Sequence, residues 1–249
     1  MIPFFRKIRW RLARENKFIQ YARYAIGEIV LVVIGILIAL QVNNWNEQRL
    51  KKSKEKNYLI EIHKNLVQDT IKINETMAFN ALKKKAIDES FKLFEQASEG
   101  GFNLGDFTAN MTVLSSFQVF EPTRTAFDNM LDVEKIDLIT NTDLRMLLSN
   151  YYKIDFNIGT NEVIKIRTRA FTDRVAPSLT TKESVYNFSG AELAIKTNAD
   201  SKIYQDEVVI VDLMSMGMTM FHYNMELNRN KSEIKYLLNY LDSEIDVMK

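Results

Sequence analysis

Two patterns of apolar positions divide this chain. From Ala25 to Val42 the run AIGEIVLVVIGILIALQV carries one charged residue, Glu28. At about 1.5 Å per residue it makes a helix of about 27 Å, close to the ~30 Å of a hydrocarbon core. Ile29 to Leu40 is apolar on every side, whereas a buried helix of a soluble domain keeps a polar stripe. A cleaved export signal fits poorly, because the basic region before the run is long and ALQVNNWNE has no small-x-small cleavage site. The pattern predicts an uncleaved transmembrane helix over 25–42.

Beyond it the period changes. Leu59, Leu66, Ile73, Asn80, Ile87 and Phe94 recur every seven residues, with Ile62, Met77 and Phe91 between them. This predicts a long amphipathic helix from about Glu47 to Ser98, ending at Gly100 and Gly101. Asn80 in such a seam is a residue type that fixes register, or a solvated position where the seam has drifted. A second series, Leu213, Met220, Leu227, Ile234, Leu241 and Met248, flanked by Met216, Tyr223 and Leu237, predicts a helix from about Gln205 to Val247.

Between them the pattern predicts a short helix from about Pro122 to Leu131, with proline in the first turn. A longer one is predicted over about Thr142–Val175, started at Asn141 and stopped before Pro177. Its apolar face would comprise Leu144, Leu147, Tyr151, Ile154, Ile158 and Ile166. Ser178 to Tyr204 lacks period and reads as a loop. Only 8 Gly and 3 Pro in 249 residues favour long uninterrupted helices. The predicted fold is all-α: a single N-terminal transmembrane helix followed by an elongated antiparallel helical bundle. The predicted organisation is a basic amphipathic juxtamembrane segment (1–24), the span (25–42) and a helical extracytoplasmic domain (43–249).

The net charge of +1 conceals a polarised chain. Arg6, Lys7, Arg9, Arg11, Arg14, Lys17 and Arg23 precede the span against the single Glu15, and the rest is mildly acidic. With Phe5, Ile8 and Leu12 at helical spacing, this tip suits an interfacial helix on anionic lipid headgroups. A span directly behind it makes headgroups the expected anion, not nucleic acid. Tyr21 and Tyr24 on one side and Trp45 on the other fall where aromatic rings favour the interface. The basic bias places the N-terminus in the cytoplasm and the domain outside. Gly27, Gly35 and Ala39 share one helical face and would permit close helix approach. Glu28, about one turn inside, either reaches back to the interface or forms a proton or ion site.

The run FFRKIRWRLARENKFIQYARYAIGEIVLVVIGILIALQVNNWNEQR, from Phe4 to Arg49, closely resembles the opening of an uncharacterised family of Bacteroidetes envelope proteins. FEPTRTAFDNMLDVEKIDLITNTDLRMLLSNYY, from Phe120 to Tyr152, resembles that family's second recurring block, with Asp132-Val133 where a Ser-Gly-like turn is usual. The resemblance implies a Gram-negative inner-membrane protein with a periplasmic domain, and no activity.

Chemistry is sparse. With no cysteine there is no disulfide, thiolate metal site or thiol nucleophile. His63 and His222 are the only histidines, and no protease, hydrolase, P-loop or dinucleotide motif occurs. The EGGFNLGD stretch, Glu99 to Asp106, reads as a helix-ending turn. Met214, Met216, Met218 and Met220 alternate, and thioethers select Cu(I). In a helix, however, Met216 and Met220 face the seam and the other two face away, so copper is the remote reading. A site assembled from Glu121, Arg124 and Asp143 near Tyr151 and Tyr152 is the enzymatic alternative. The expectation is a non-enzymatic protein without cofactor or metal, whose partners are the bilayer and either another protein or further copies of itself.

Overall fold

The computed structural model describes residues 18–98, 102–131, 136–154, 159–180, 182 and 202–248. They form six α-helices and no strand: α1 (Phe18–Ser98), α2 (Leu104–Leu114), α3 (Thr125–Leu131), α4 (Thr142–Lys153), α5 (Thr160–Leu179) and α6 (Glu207–Val247). Short 3-10 turns occupy Ile136–Leu138 and Ile203–Gln205. The all-α expectation holds. Arg6, Lys7, Arg9 and Arg11 of the basic tip, the Gly100-Gly101 stop, Asp132-Val133 and Ile158 lie outside the described residues.

The chain divides into two compact units, Met1–Lys56 and Asn57–Lys249. In the first, α1 is apolar and bare: Ile29 to Ile34, Ile36 to Ile38, Leu40 and Val42 are all exposed. Helical residues run through both apolar patterns without interruption, and no proline or glycine intervenes between Val42 and Leu59.

In the second unit the heptad track is the packing seam. Leu59, Leu66, Ile73, Asn80, Ile87 and Phe94 are all buried, as are Leu213, Met220, Leu227, Ile234 and Leu241 of α6. The two helices run antiparallel. His63 meets Asp242 (3.1 Å), Lys231 donates to Asn74 (2.7 Å) and Asn80 donates to Asn224 (2.8 Å), one sequence rising as the other falls. The apolar residues collect in two clusters. One joins Leu59 to Ile73 of α1 with α3, α4 and the C-terminal half of α6; the other joins Ala86 to Phe94 with α2, α5 and the N-terminal half of α6.

Several boundaries differ from the sequence expectation. The predicted helix over 142–175 is two helices, α4 ending at Lys153 and α5 starting at Thr160. The break resets the helical phase. Ile154 and Ile166 are consequently exposed, and Asn161, Ile164, Thr168, Phe171 and Val175 supply the inner face of α5. Pro177 does not stop the chain but sits inside the last turn of α5. Its missing N–H costs the Asp173 carbonyl its intrahelical donor, and only two helical residues follow the proline. The short third helix starts at Thr125, three residues after Pro122. A helix the pattern did not reveal, α2, starts inside the EGGFNLGD stretch that reads as a helix-ending turn: Asn103 caps it by accepting from the N–H groups of Gly105 (2.9 Å) and Asp106 (3.3 Å). Asn141 caps α4 in the same way, accepting from Asp143 and Leu144 at 3.1 Å.

Candidate functional site

The heptad of α1 has a second buried track, and it is largely polar. Seven-residue steps from Ile62 give Asp69, Thr76, Lys83, Ser90 and Ala97, every one buried. Periodicity alone could have found this track, but it carries no apolar signal between Ile62 and Ala97. Of the expected fillers Ile62, Met77 and Phe91, the first is buried and the other two are only partly buried.

Lys83 lies between the two apolar clusters. The residue is 2% exposed, and its amine donates to the Ser116 carbonyl (2.6 Å) and the Thr168 hydroxyl (2.9 Å). No carboxylate pairs with it among the described residues, and burial lowers its pKa from 10.5 to about 8. Asn80 one turn earlier bonds Asn224, and Thr76 returns its hydroxyl to the Lys72 carbonyl (2.8 Å). Phe79, Phe117, Met216 and Met220 join Asn80 and Lys83 around a crevice with room for about one water molecule. Buried polar groups satisfied this way hold α1, α5 and α6 in one register.

Asp69 organises a second network. Its carboxylate accepts from the Thr123 N–H (2.7 Å) and the Tyr151 hydroxyl (3.1 Å), and Lys72 donates to the Thr123 hydroxyl (2.8 Å). Burial first, then the Asp69 charge, push the Tyr151 phenol far above its ordinary range, so it stays a donor. Tyr152 is raised by the same two causes, opposed by Arg124. Its ring stacks on Phe127 at 4.5 Å, and its hydroxyl is buried without a partner among the described residues. Arg124 pairs with Asp128 (3.1 Å), donates to the Tyr152 carbonyl and lies 5.9 Å over that ring. Phe120 is fixed similarly: its N–H donates to the Tyr223 hydroxyl (2.6 Å) and its carbonyl accepts from Asn161 (2.8 Å). The segment Phe120–Asp128 is thereby fastened to α1, α4, α5 and α6.

Of the proposed enzymatic set, Arg124, Tyr151 and Tyr152 come together, but their hydrogen bonds close the bundle. Glu121 instead approaches Lys165 (3.9 Å) and Asp143 stands in the first turn of α4. The methionines split as the helix requires: Met216 and Met220 are buried, Met214 and Met218 exposed. That separation removes a shared four-thioether site.

In the first unit, Gly27 and Gly35 face open space, since a Cβ at either would meet nothing within 4 Å. Ala39 is exposed like its neighbours. Tyr24 belongs to α1, and Glu28 is partly buried. Trp45 is 63% exposed, with the Arg49 guanidinium 5.8 Å over its ring, and Asn43 donates to Glu47 at 2.9 Å. This places an aromatic and a cation at the polar margin of the apolar stretch.

These features define an all-α protein with a helical bundle and, among the described residues, one helix long and apolar enough to cross a membrane. Residues 28–164, more than half of the chain, match a family of unknown function, DUF6090, and the chain belongs to that family. No curated protein and no solved structure is significantly similar to it.

Proposed function

We propose that the protein is a non-enzymatic, single-pass membrane protein whose helical domain works by binding another protein. The observation that carries this reading is the apolar stretch of α1, no part of whose eighteen-residue window is buried. Exposed in water it would be an aggregation site; in a bilayer it is a satisfied span. The basic residues before it support a cytoplasmic N-terminus and a domain on the far side, the periplasm if the membrane is a bacterial inner membrane. The resemblance of its opening to envelope proteins supports that compartment. Lys83, Asp69 and Arg124 spend their hydrogen bonds on neighbouring helices, which supports binding as the task over catalysis. Crosslinking and pull-down of the full-length protein from its own membranes tests the reading. Reproducible recovery of a specific protein, this chain included, is expected; recovery of nothing above an unrelated single-pass control overturns it.

A further inference from the structure

In the second unit α1 buries two charged side chains, Asp69 and Lys83. Along one helix they stand about 21 Å apart, too far for one to neutralise the other. Asp69 is answered by the Thr123 N–H and the Tyr151 hydroxyl. Lys83 is answered less completely. An ammonium has three N–H donors, and among the described residues two acceptors meet them, the Ser116 carbonyl and the Thr168 hydroxyl. Both are neutral. Burial lowers its pKa only to about 8, so at neutral pH the amine still carries its charge.

The crevice beside Lys83 is built to suit the opposite charge. No Asp or Glu lines it, and a second cation does, Arg167 of α5. Arg124, Arg145 and Arg174 each pair with an aspartate. Arg167 is exposed, and neither it nor Gln118, also in the lining, has a hydrogen-bond or ion-pair partner among the described residues. The Asn80 amide gives one N–H to Asn224 and keeps another, and the Thr168 hydroxyl accepts from Lys83 and keeps its own proton to donate. The remaining walls are apolar, which lowers the local dielectric and strengthens any attraction for negative charge. Room for about one water molecule excludes phosphate, sulfate and organic acids but admits a single-atom anion.

We propose that this crevice binds one halide ion, chloride or its near equal in size, on the Lys83 ammonium, with Arg167 as the second cation at its mouth. The ion supplies an acceptor for the third N–H and the negative charge that the buried amine otherwise lacks. Because α1, the segment after α2, α5 and α6 all contribute to the lining, occupancy ties these elements together and couples the stability of the bundle to halide concentration. The site stands independently of the protein-binding reading above.

Thermal unfolding of the full-length protein in detergent reads the site, at neutral pH and constant ionic strength, as sodium gluconate is replaced by sodium chloride or bromide. Gluconate is too bulky for the crevice. The midpoint should rise along a saturating curve with either halide, and the NMR line of chloride should broaden on adding protein and sharpen when bromide displaces it. Lys83→Met should abolish both responses. Arg167→Glu, a charge reversal at an exposed position, should fold normally and weaken the apparent chloride affinity by roughly tenfold. Equal midpoints in gluconate and chloride, a response that does not saturate, or one that Lys83→Met retains overturns the proposal. Should Lys83→Met fail to fold, Arg167→Glu decides: a chloride affinity unchanged from wild type overturns it.

Discussion

The two ends of α1 contrast more than any other pair of regions in the molecule. Both are helical, both are rich in Ile, Leu and Val, and α1 runs from Phe18 to Ser98 without a break. Yet Ile34, Leu37 and Leu40 are exposed while Leu59, Leu66 and Ile73 are fully buried. Apolar content therefore does not decide what a helix does; the arrangement of apolar positions does. In the first stretch they surround the helix and no single neighbouring helix could cover them. In the second they occupy tracks seven residues apart, with Lys64, Glu75 and Lys85 on the solvent side, and α6 covers them.

The same substitution made at each end breaks or sharpens this comparison. Leu66→Ala should lower the thermal stability of the full-length protein by about 2–5 kcal/mol, because it empties a fully buried site. Leu37→Ala should leave that transition unmoved. Equal losses from both would mean that the first stretch is packed like a core.

Charge discriminates in the other direction. Leu37→Arg should disfavour membrane insertion by about 2.5–3.5 kcal/mol, read as protein released by alkaline carbonate. The bundle already holds a cation with no carboxylate partner among the described residues, Lys83, and the expected consequence is a pH dependence. Its folded pKa is about 8 against 10.5 for the free side chain. Between these values the unfolded chain keeps a proton that the folded chain releases, so stability rises with pH across that window. The rise should be about 3 kcal/mol at most. Lys83→Met, compared with wild type in denaturant titrations from pH 8 to 10.5, should lack it; identical pH profiles would contradict the burial of this amine.

The smallest expected effect lies at Asn80. A double-mutant cycle of Asn80→Ala and Asn224→Ala should give a coupling of about 0.5–1.5 kcal/mol. Zero coupling would place the 2.8 Å bond among contacts that do not contribute to register.

Much of the fold was legible because apolar heptads declare their own partners. The seams of α1 and α6 follow directly from Leu59 to Phe94 and from Leu213 to Leu241. The polar track Asp69, Thr76, Lys83 and Ser90 obeys the same period, but without apolar side chains it looks solvent-facing until α4, α5 and the Ser116 carbonyl supply its partners. The helix α2 buries only Phe107 and Leu114, too sparse a pattern to stand out beside three glycines. Its signal was local: Asn103 followed three residues later by Asp106, a capping arrangement in which the two side chains also bond each other (2.8 Å). The break between α4 and α5 left no comparable mark, since Gly159 caps α5 without a side-chain bond.

The central claim is that the apolar stretch of α1 lies in a bilayer. Single cysteines placed along it in the otherwise cysteine-free chain, probed in sealed native membranes with a membrane-impermeant maleimide, test this most directly. Positions from Ile29 to Leu40 should resist labelling until the membrane is dissolved, while Lys52→Cys labels from one side only. Uniform labelling of Ile29 to Leu40 in intact membranes would contradict it.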